Sequence, residues 1–204
     1  MAFKFYALLL CGLCVIVFLL QLVVPGFTQT FLLDQRFADE VWRSLTAIFL
    51  HGSVLHLSYN LFALALFGSI LEHFIGGKRF LVVFFVTGIL ANVVALPFYL
   101  QSLGASGAIF GVIGALIVVR PGTMVFAFGL PMPIFVAGIL WTVGDIIGIF
   151  VPSSVGSIAH LAGIFFGLLF GFIYRPRNLL MKRNLIHLDE RSMRDWEDRY
   201  LRRL

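Results

Sequence analysis

Ser106 stands in the stretch Gly104-Ala105-Ser106-Gly107, and His160 lies far along the chain at the start of another apolar run. A serine hydroxyl is a poor nucleophile until a base takes its proton, and imidazole is the usual base. Ser106 and His160 are therefore a candidate nucleophile and general base for acyl transfer. That chemistry also needs donors aimed at a developing oxyanion, which the Ser106 backbone N–H, the Asn60 amide and His56 could provide. His56 and Asn60, four residues apart, share one face of a helix. Glycines at 104 and 107 let a backbone come close to the serine without crowding it.

The elements that must position these residues are membrane spans. Of 204 residues 60% are hydrophobic and only 12% charged, with a mean hydropathy of +1.01, far above the roughly 45–50% apolar share of a soluble domain. Six apolar runs, near Phe5–Pro25, Val54–Ile75, Phe80–Leu100, Gly104–Val119, Pro133–Phe150 and Ile158–Tyr174, predict an all-α membrane protein built as a six-transmembrane-helix bundle. The first run is too long for a signal-peptide core and has no small-residue cleavage site before Pro25, so it counts as a span. With the N-terminus in the cytoplasm, 13 of the 15 Lys and Arg fall inside and only Arg36 and Arg43 outside. The net charge of +5 then reflects anionic lipid headgroups and not nucleic acid.

This topology runs the second, fourth and sixth spans inward, which brings His56, Asn60, Ser106 and His160 to one depth near the outer end of three helices. Polar groups at that depth are costly and mark function. Glycines 107, 111 and 114 on the fourth span, and 163, 167 and 171 on the sixth, predict a close approach of those two helices. The fourth run has about 16 apolar residues before Arg120, roughly 24 Å of helix against a core of about 30 Å, so its serine end must lie below the outer surface. The outer stretch 26–53 is expected to be a partly helical interfacial element with Trp42 and Arg43 as headgroup anchors. Asp145, the one Asp within a span, is expected to be a hydrogen-bonded structural acid near the outer end, with a third triad position as its alternative. Cys11 and Cys14 are expected to pack as small hydrophobes with no disulfide. Residues 1–174 form the expected core, and 175–204, with His187, Trp196 and Tyr200, a basic cytoplasmic tail.

Other intramembrane hydrolases leave signatures that this sequence lacks. A zinc protease would carry HExxH, whereas His51-x4-His56-x3-Asn60 has no adjoining carboxylate. An aspartyl mechanism needs two acids sharing one site. No metal and no cofactor is expected.

At these positions the chain resembles the rhomboid family of intramembrane serine proteases. The resemblance rests on Trp42-Arg43, His51-x4-His56-x3-Asn60, Gly104-Ala105-Ser106-Gly107 and Ala159-His160-Leu161-Ala162-Gly163-x3-Gly167, and covers about Trp42 to Tyr174. It implies that Ser106 and His160 form a catalytic dyad, that His56, Asn60 and the Ser106 backbone form the oxyanion site, and that Gly104 lines it. Many members stack a tyrosine under the catalytic imidazole; here Phe110 takes that place, keeping the face and losing the hydroxyl. Trp141 and Tyr59 are candidate gate residues by the same resemblance.

The expected activity is hydrolysis of peptide bonds in or near transmembrane segments of membrane-protein substrates. The expected setting is the lipid bilayer of a cell membrane, with both termini cytoplasmic; short loops and no long N-terminal extension favour a prokaryotic one. Nothing in the sequence sets the oligomeric state. Two rivals share the polar residues: a silent relative that escorts membrane helices, and a small transporter, which would show internal repeats and polar residues through the whole depth.

Overall fold

In the computed structural model, residues 5–151 and 156–175 are described. The protein is mostly helical. Helices α1 (Tyr6–Val23), α2 (Phe27–Phe31), α3 (Arg43–Thr46), α4 (Val54–Ala63), α5 (Ser69–Ile75), α6 (Gly77–Ala95), α7 (Ser106–Val119), α8 (Ile134–Ile149) and α9 (Ser157–Tyr174) follow in order. One π turn, Leu64–Gly68, joins α4 and α5 into a single rod. Four helical segments, Tyr6–Val23, Val54–Ile75, Gly77–Ala95 and Ser157–Tyr174, are long and apolar enough to cross a membrane, and α7 and α8 are shorter apolar helices. This is a multi-pass membrane protein. The expected tail, beyond Arg175, lies outside the described residues.

The helix α7 is the axis of the molecule. Ten of its 14 residues are buried, among them Gly107, Gly111 and Gly114. At 1.5 Å per residue it spans roughly 21 Å, short of the ~30 Å hydrocarbon core. Its small residues explain its central place. A methyl on Gly163 of α9 would strike the carbonyl of Gly107, and one on Gly167 would strike the carbonyl of Gly111, so the two backbones lie against each other. Helix pairs in lipid gain little from the hydrophobic effect and rely on such close packing.

Buried polar groups hold the remaining spans. Glu72, 2% exposed, accepts from the N–H groups of Tyr6 and Ala7 at 3.1 and 3.0 Å. Helix α1 has no capping side chain of its own, so a carboxylate from α5 satisfies its first free donors and meets the positive end of its dipole. Gln21 brackets His51, accepting from its N–H at 2.9 Å and donating to its carbonyl at 3.1 Å. Thus both ends of α1 are pinned to the Val54–Ile75 rod or the segment that leads into it.

The stretch 26–53 is partly helical, as expected, but Arg43 departs from its expected role. Arg43 is buried at 2% exposure and donates to the carbonyls of Gln29 and Leu32 at 3.1 and 2.9 Å, and to the Glu40 carboxylate. It is an internal clamp and not a headgroup anchor, because a planar guanidinium has five donors and here finds carbonyl and carboxylate acceptors on three sides. Trp42, partly exposed, lies under its guanidinium at 4.9 Å. The clamped segment then pairs with the chain just before the serine. Strand β1 (Leu33–Asp34) runs antiparallel to β2 (Gln101–Ser102), the Gly104 N–H donates to the Ala47 carbonyl at 2.9 Å, and Asn92 Nδ2 on α6 reaches the Ser44 carbonyl at 2.8 Å.

A hairpin, β3 (Met124–Ala127) and β4 (Leu130–Pro133), links α7 to α8. Phe128 and Gly129 both have positive φ, +53° and +79°, as a tight two-residue turn demands. Val125 and Ala127 face the core, while Met124, Phe126, Phe128 and Leu130 are exposed.

Candidate active site

Ser106 is the first residue of α7, where the chain leaves the strand-paired segment and the first turn of a helix leaves its N–H groups without intrahelical partners. Gly104 precedes it at φ +127°, a conformation L side chains rarely adopt. A Cβ there would lie 2.8 and 2.9 Å from the His56 ring atoms Cε1 and Nε2 and 3.9 Å from Ser106 Oγ. Only glycine fits, and the missing side chain leaves the imidazole of α4 and the hydroxyl of α7 around one small space.

The proton on His56 can be placed. Its Nδ1 accepts from the Gly52 N–H across 3.4 Å, so in the neutral ring Nε2 carries the hydrogen and acts as a donor. That nitrogen is the one beside Gly104. The neighbouring His51 is buried and meets His56 edge to face at 5.1 Å. Burial first, and then the adjacent His56, push the His51 pKa down to about 4, so it stays neutral.

His160 arrives from α9. Its ring lies flat on Phe110, centroids 4.2 Å apart and planes 8° apart. Phe110 stands four residues after Ser106 in α7, so the imidazole covers the helix face on which the serine sits. Ala159 lies over Gly107, which sets the two helix starts level. The other ring edge is engaged as well: His160 Nδ1 is 3.0 Å from Asp145 Oδ1 on α8. Among the described residues no direct hydrogen bond joins Ser106 Oγ to His160; contacts of this kind commonly tighten only in the substrate complex.

The remaining sequence candidates fall in different places. Asn60 is buried and turned onto its own helix, its Nδ2 donating to the His56 carbonyl at 2.9 Å. Trp141 packs on Phe110, Phe67 and Phe128 with centroids 6.4, 5.7 and 5.9 Å apart, bridging α8, the Val54–Ile75 rod and the hairpin. Tyr59 is 67% exposed. Asp145 was expected to be a structural acid; it is bonded to the site's imidazole. The signal in the sequence was its solitude, since a lone carboxylate in a span needs a partner. Among the described residues no group of three or more His, Cys, Asp or Glu is arranged to hold a metal ion.

The apolar helical fold, with a serine, two histidines and an asparagine near the starts of three helices, fits the class of membrane-embedded hydrolases. Comparison with known proteins agrees. A family model described as the rhomboid domain matches residues 38–177. The chain is 30% identical over 179 residues to rhomboid protease GlpG of Haemophilus influenzae, covering 81% of this chain and 88% of that protein. It is 40% identical over 99 residues to rhomboid protease GluP of Bacillus subtilis, covering 48% of this chain and 19% of that longer one. It is 32% identical over 138 residues to RHOMBOID-like protein 7 of Arabidopsis thaliana, covering 66% and 43%. The chain belongs to the rhomboid family of intramembrane serine proteases.

Proposed function

We propose that this protein hydrolyses peptide bonds in or near transmembrane segments of other membrane proteins, with Ser106 as nucleophile and His160 as general base. The observation that carries the reading is the His160 ring stacked on Phe110, one helical turn from Ser106. With Nδ1 turned to Asp145, Nε2 is the nitrogen left to take the serine proton.

In the first step Ser106 Oγ attacks the scissile carbonyl carbon as its proton passes to His160 Nε2, and the carbonyl π pair moves onto oxygen. The oxyanion is met by the Ser106 backbone N–H, by His56 Nε2–H and by the Asn60 N–H not spent on its own helix. Collapse re-forms the carbonyl and breaks the C–N bond, and the leaving nitrogen takes the proton from Nε2. A water then attacks the acyl-enzyme, giving its proton to Nε2; the second collapse releases the acid and returns that proton to Oγ. No metal or redox partner enters this balance. Gly104 lines the site, since any side chain there would collide with His56.

The wider architecture follows the same reading. Six spans are counted, with α7 and α8 as the two short ones, residues 1–174 as the protease core and 175–204 as a tail. The membrane is the cell membrane and both termini are cytoplasmic, as the distribution of Lys and Arg favours. Trp141 is the gate residue between α8 and the Val54–Ile75 rod through its contact with Phe67; Tyr59, exposed on α4, borders the same entry. Substrates are single-span helices that unwind readily near small residues.

The test is cleavage of a model single-span substrate by the detergent-purified protein beside its Ser106→Ala variant. Cleavage by the first and none by the second, with helicity unchanged, is expected. Equal cleavage by both would remove Ser106 from the mechanism, and no cleavage by either would favour a non-proteolytic helix binder.

A further inference from the structure

We propose that Asp145 is a positioning residue for His160, holding the imidazole of the Ser106–His160 pair in the tautomer that can take the serine proton. The inference rests on the catalytic reading above. Its starting point is geometric: the carboxylate on α8 and the imidazole on α9 are separated by 3.0 Å and are 9% and 11% exposed as side chains.

Two constraints are needed to aim an imidazole. Phe110 supplies the first, since a stacked phenyl fixes the plane of the ring at an 8° tilt. It has no polar atom, so it leaves rotation within that plane undecided. Asp145 supplies the second. An ionised carboxylate can only accept, so the 3.0 Å contact requires a hydrogen on Nδ1. The neutral ring then has its lone pair on Nε2, the nitrogen that must receive the serine proton. The carboxylate also counts energetically at one moment: when Nε2 is protonated, an imidazolium forms in a buried site, and an adjacent anion stabilises it more than it stabilises the resting ring.

A purely structural acid would satisfy its burial by the same hydrogen bond, so the two roles must be separated by kinetics. Asp145→Asn keeps the shape but can present an N–H to Nδ1, favouring the wrong tautomer. In soluble triads that change lowers kcat about 10⁴-fold. Here kcat on a model single-span substrate is expected to fall by about 10²- to 10⁴-fold, with KM and the thermal midpoint close to those of the parent. The rate of fluorophosphonate labelling of Ser106 should fall in parallel. Asp145→Glu, which restores the acceptor, should recover a substantial part of the loss. Asp145→Asn with a kcat within about threefold of the parent, a difference under 1 kcal/mol in barrier and too small for a positioning role, would overturn the proposal.

Should Asp145→Asn fail to fold, ¹⁵N NMR of histidine-labelled Ser106→Ala protein, with Asp145 intact, reads the tautomer directly. A proton on Nδ1 of His160 supports the proposal, and an unprotonated Nδ1 overturns it. That measurement needs no turnover, so it stays separate from the nucleophile assignment, which fails if Ser106→Ala cleaves as the parent does.

Discussion

Helices α8 and α9 each deliver one half of the buried His160–Asp145 contact, and they are built in opposite ways. Helix α9 lies backbone to backbone on α7 through Gly163, Gly167 and Gly171. Only four of the 16 residues of α8 are buried, Ile134, Ala137, Gly138 and Asp145, and its flank of Ile139, Leu140, Val143, Ile146 and Ile147 is exposed. At Gly144 a methyl would meet nothing within 4 Å. Ser106 and His160 therefore sit on two helices packed without slack, while Trp141 and Asp145 lie on a helix with far fewer buried residues. A mechanism that must hold a hydroxyl and an imidazole in register gains most from the tightly packed pair of helices.

The largest effect is expected at the seam between α7 and α9. Gly163→Val drives side-chain atoms into the Gly107 carbonyl, one residue from Ser106. Overpacking costs about 1–3 kcal/mol or more, and cleavage should become undetectable with a clearly lowered thermal midpoint; a well-folded, active variant would show that the seam has slack after all. Phe110→Ala removes the stack under His160. Such ring pairs contribute about 0.5–1.5 kcal/mol, so kcat should drop by up to about tenfold, measured on the same substrate.

Effects on α8 should be milder and of different sign. Trp141→Ala cuts the link from α8 to Phe67 and Phe110. Cleavage of a helical substrate should rise, while labelling of Ser106 by a small fluorophosphonate should change less. Away from the seam, His51 offers a pH signature. Its pKa is lowered to about 4 in the folded protein, against about 6.5 when unfolded. The unfolded chain thus binds the extra proton first as pH falls. Stability is fully present above about 6.5 and declines by about 3 kcal/mol on the way to pH 4. His51→Gln should flatten that part of the stability profile by denaturation. Smallest of all, Gly144→Ala on α8 should leave cleavage unchanged and raise stability by about 0.5–1 kcal/mol, since it meets open space within a helix.

Much of this arrangement was legible before any coordinates. Hydropathy outlines the apolar helices, and the Gly spacing on 107, 111, 163 and 167 announces the seam because close helix packing leaves so few residue choices. The shared face of His56 and Asn60 follows from helix periodicity, and the stretch around Ser106 stood out through its family resemblance. The pairing of Asp145 with His160 was not legible, because it depends on how α8 is rotated about its axis, which a helix with apolar residues all round does not encode. Arg43 misled for a related reason: a Trp-Arg pair in a polar loop reads as a surface anchor, and only the fold brings the Gln29 and Leu32 carbonyls to it. The hairpin 124–133 was not legible either, because Met124, Val125, Phe126, Ala127 and Phe128 are all apolar and only the fold separates buried Val125 and Ala127 from their exposed neighbours.

Mass-spectrometric mapping of a fluorophosphonate adduct puts the whole account to its sharpest trial, using the purified parent protein with His160→Ala and Ser106→Ala alongside. The adduct should appear on Ser106 in the parent alone. Labelling of a different residue, or labelling of Ser106 at the parental rate when His160 is gone, would contradict the assignment of a histidine-activated serine.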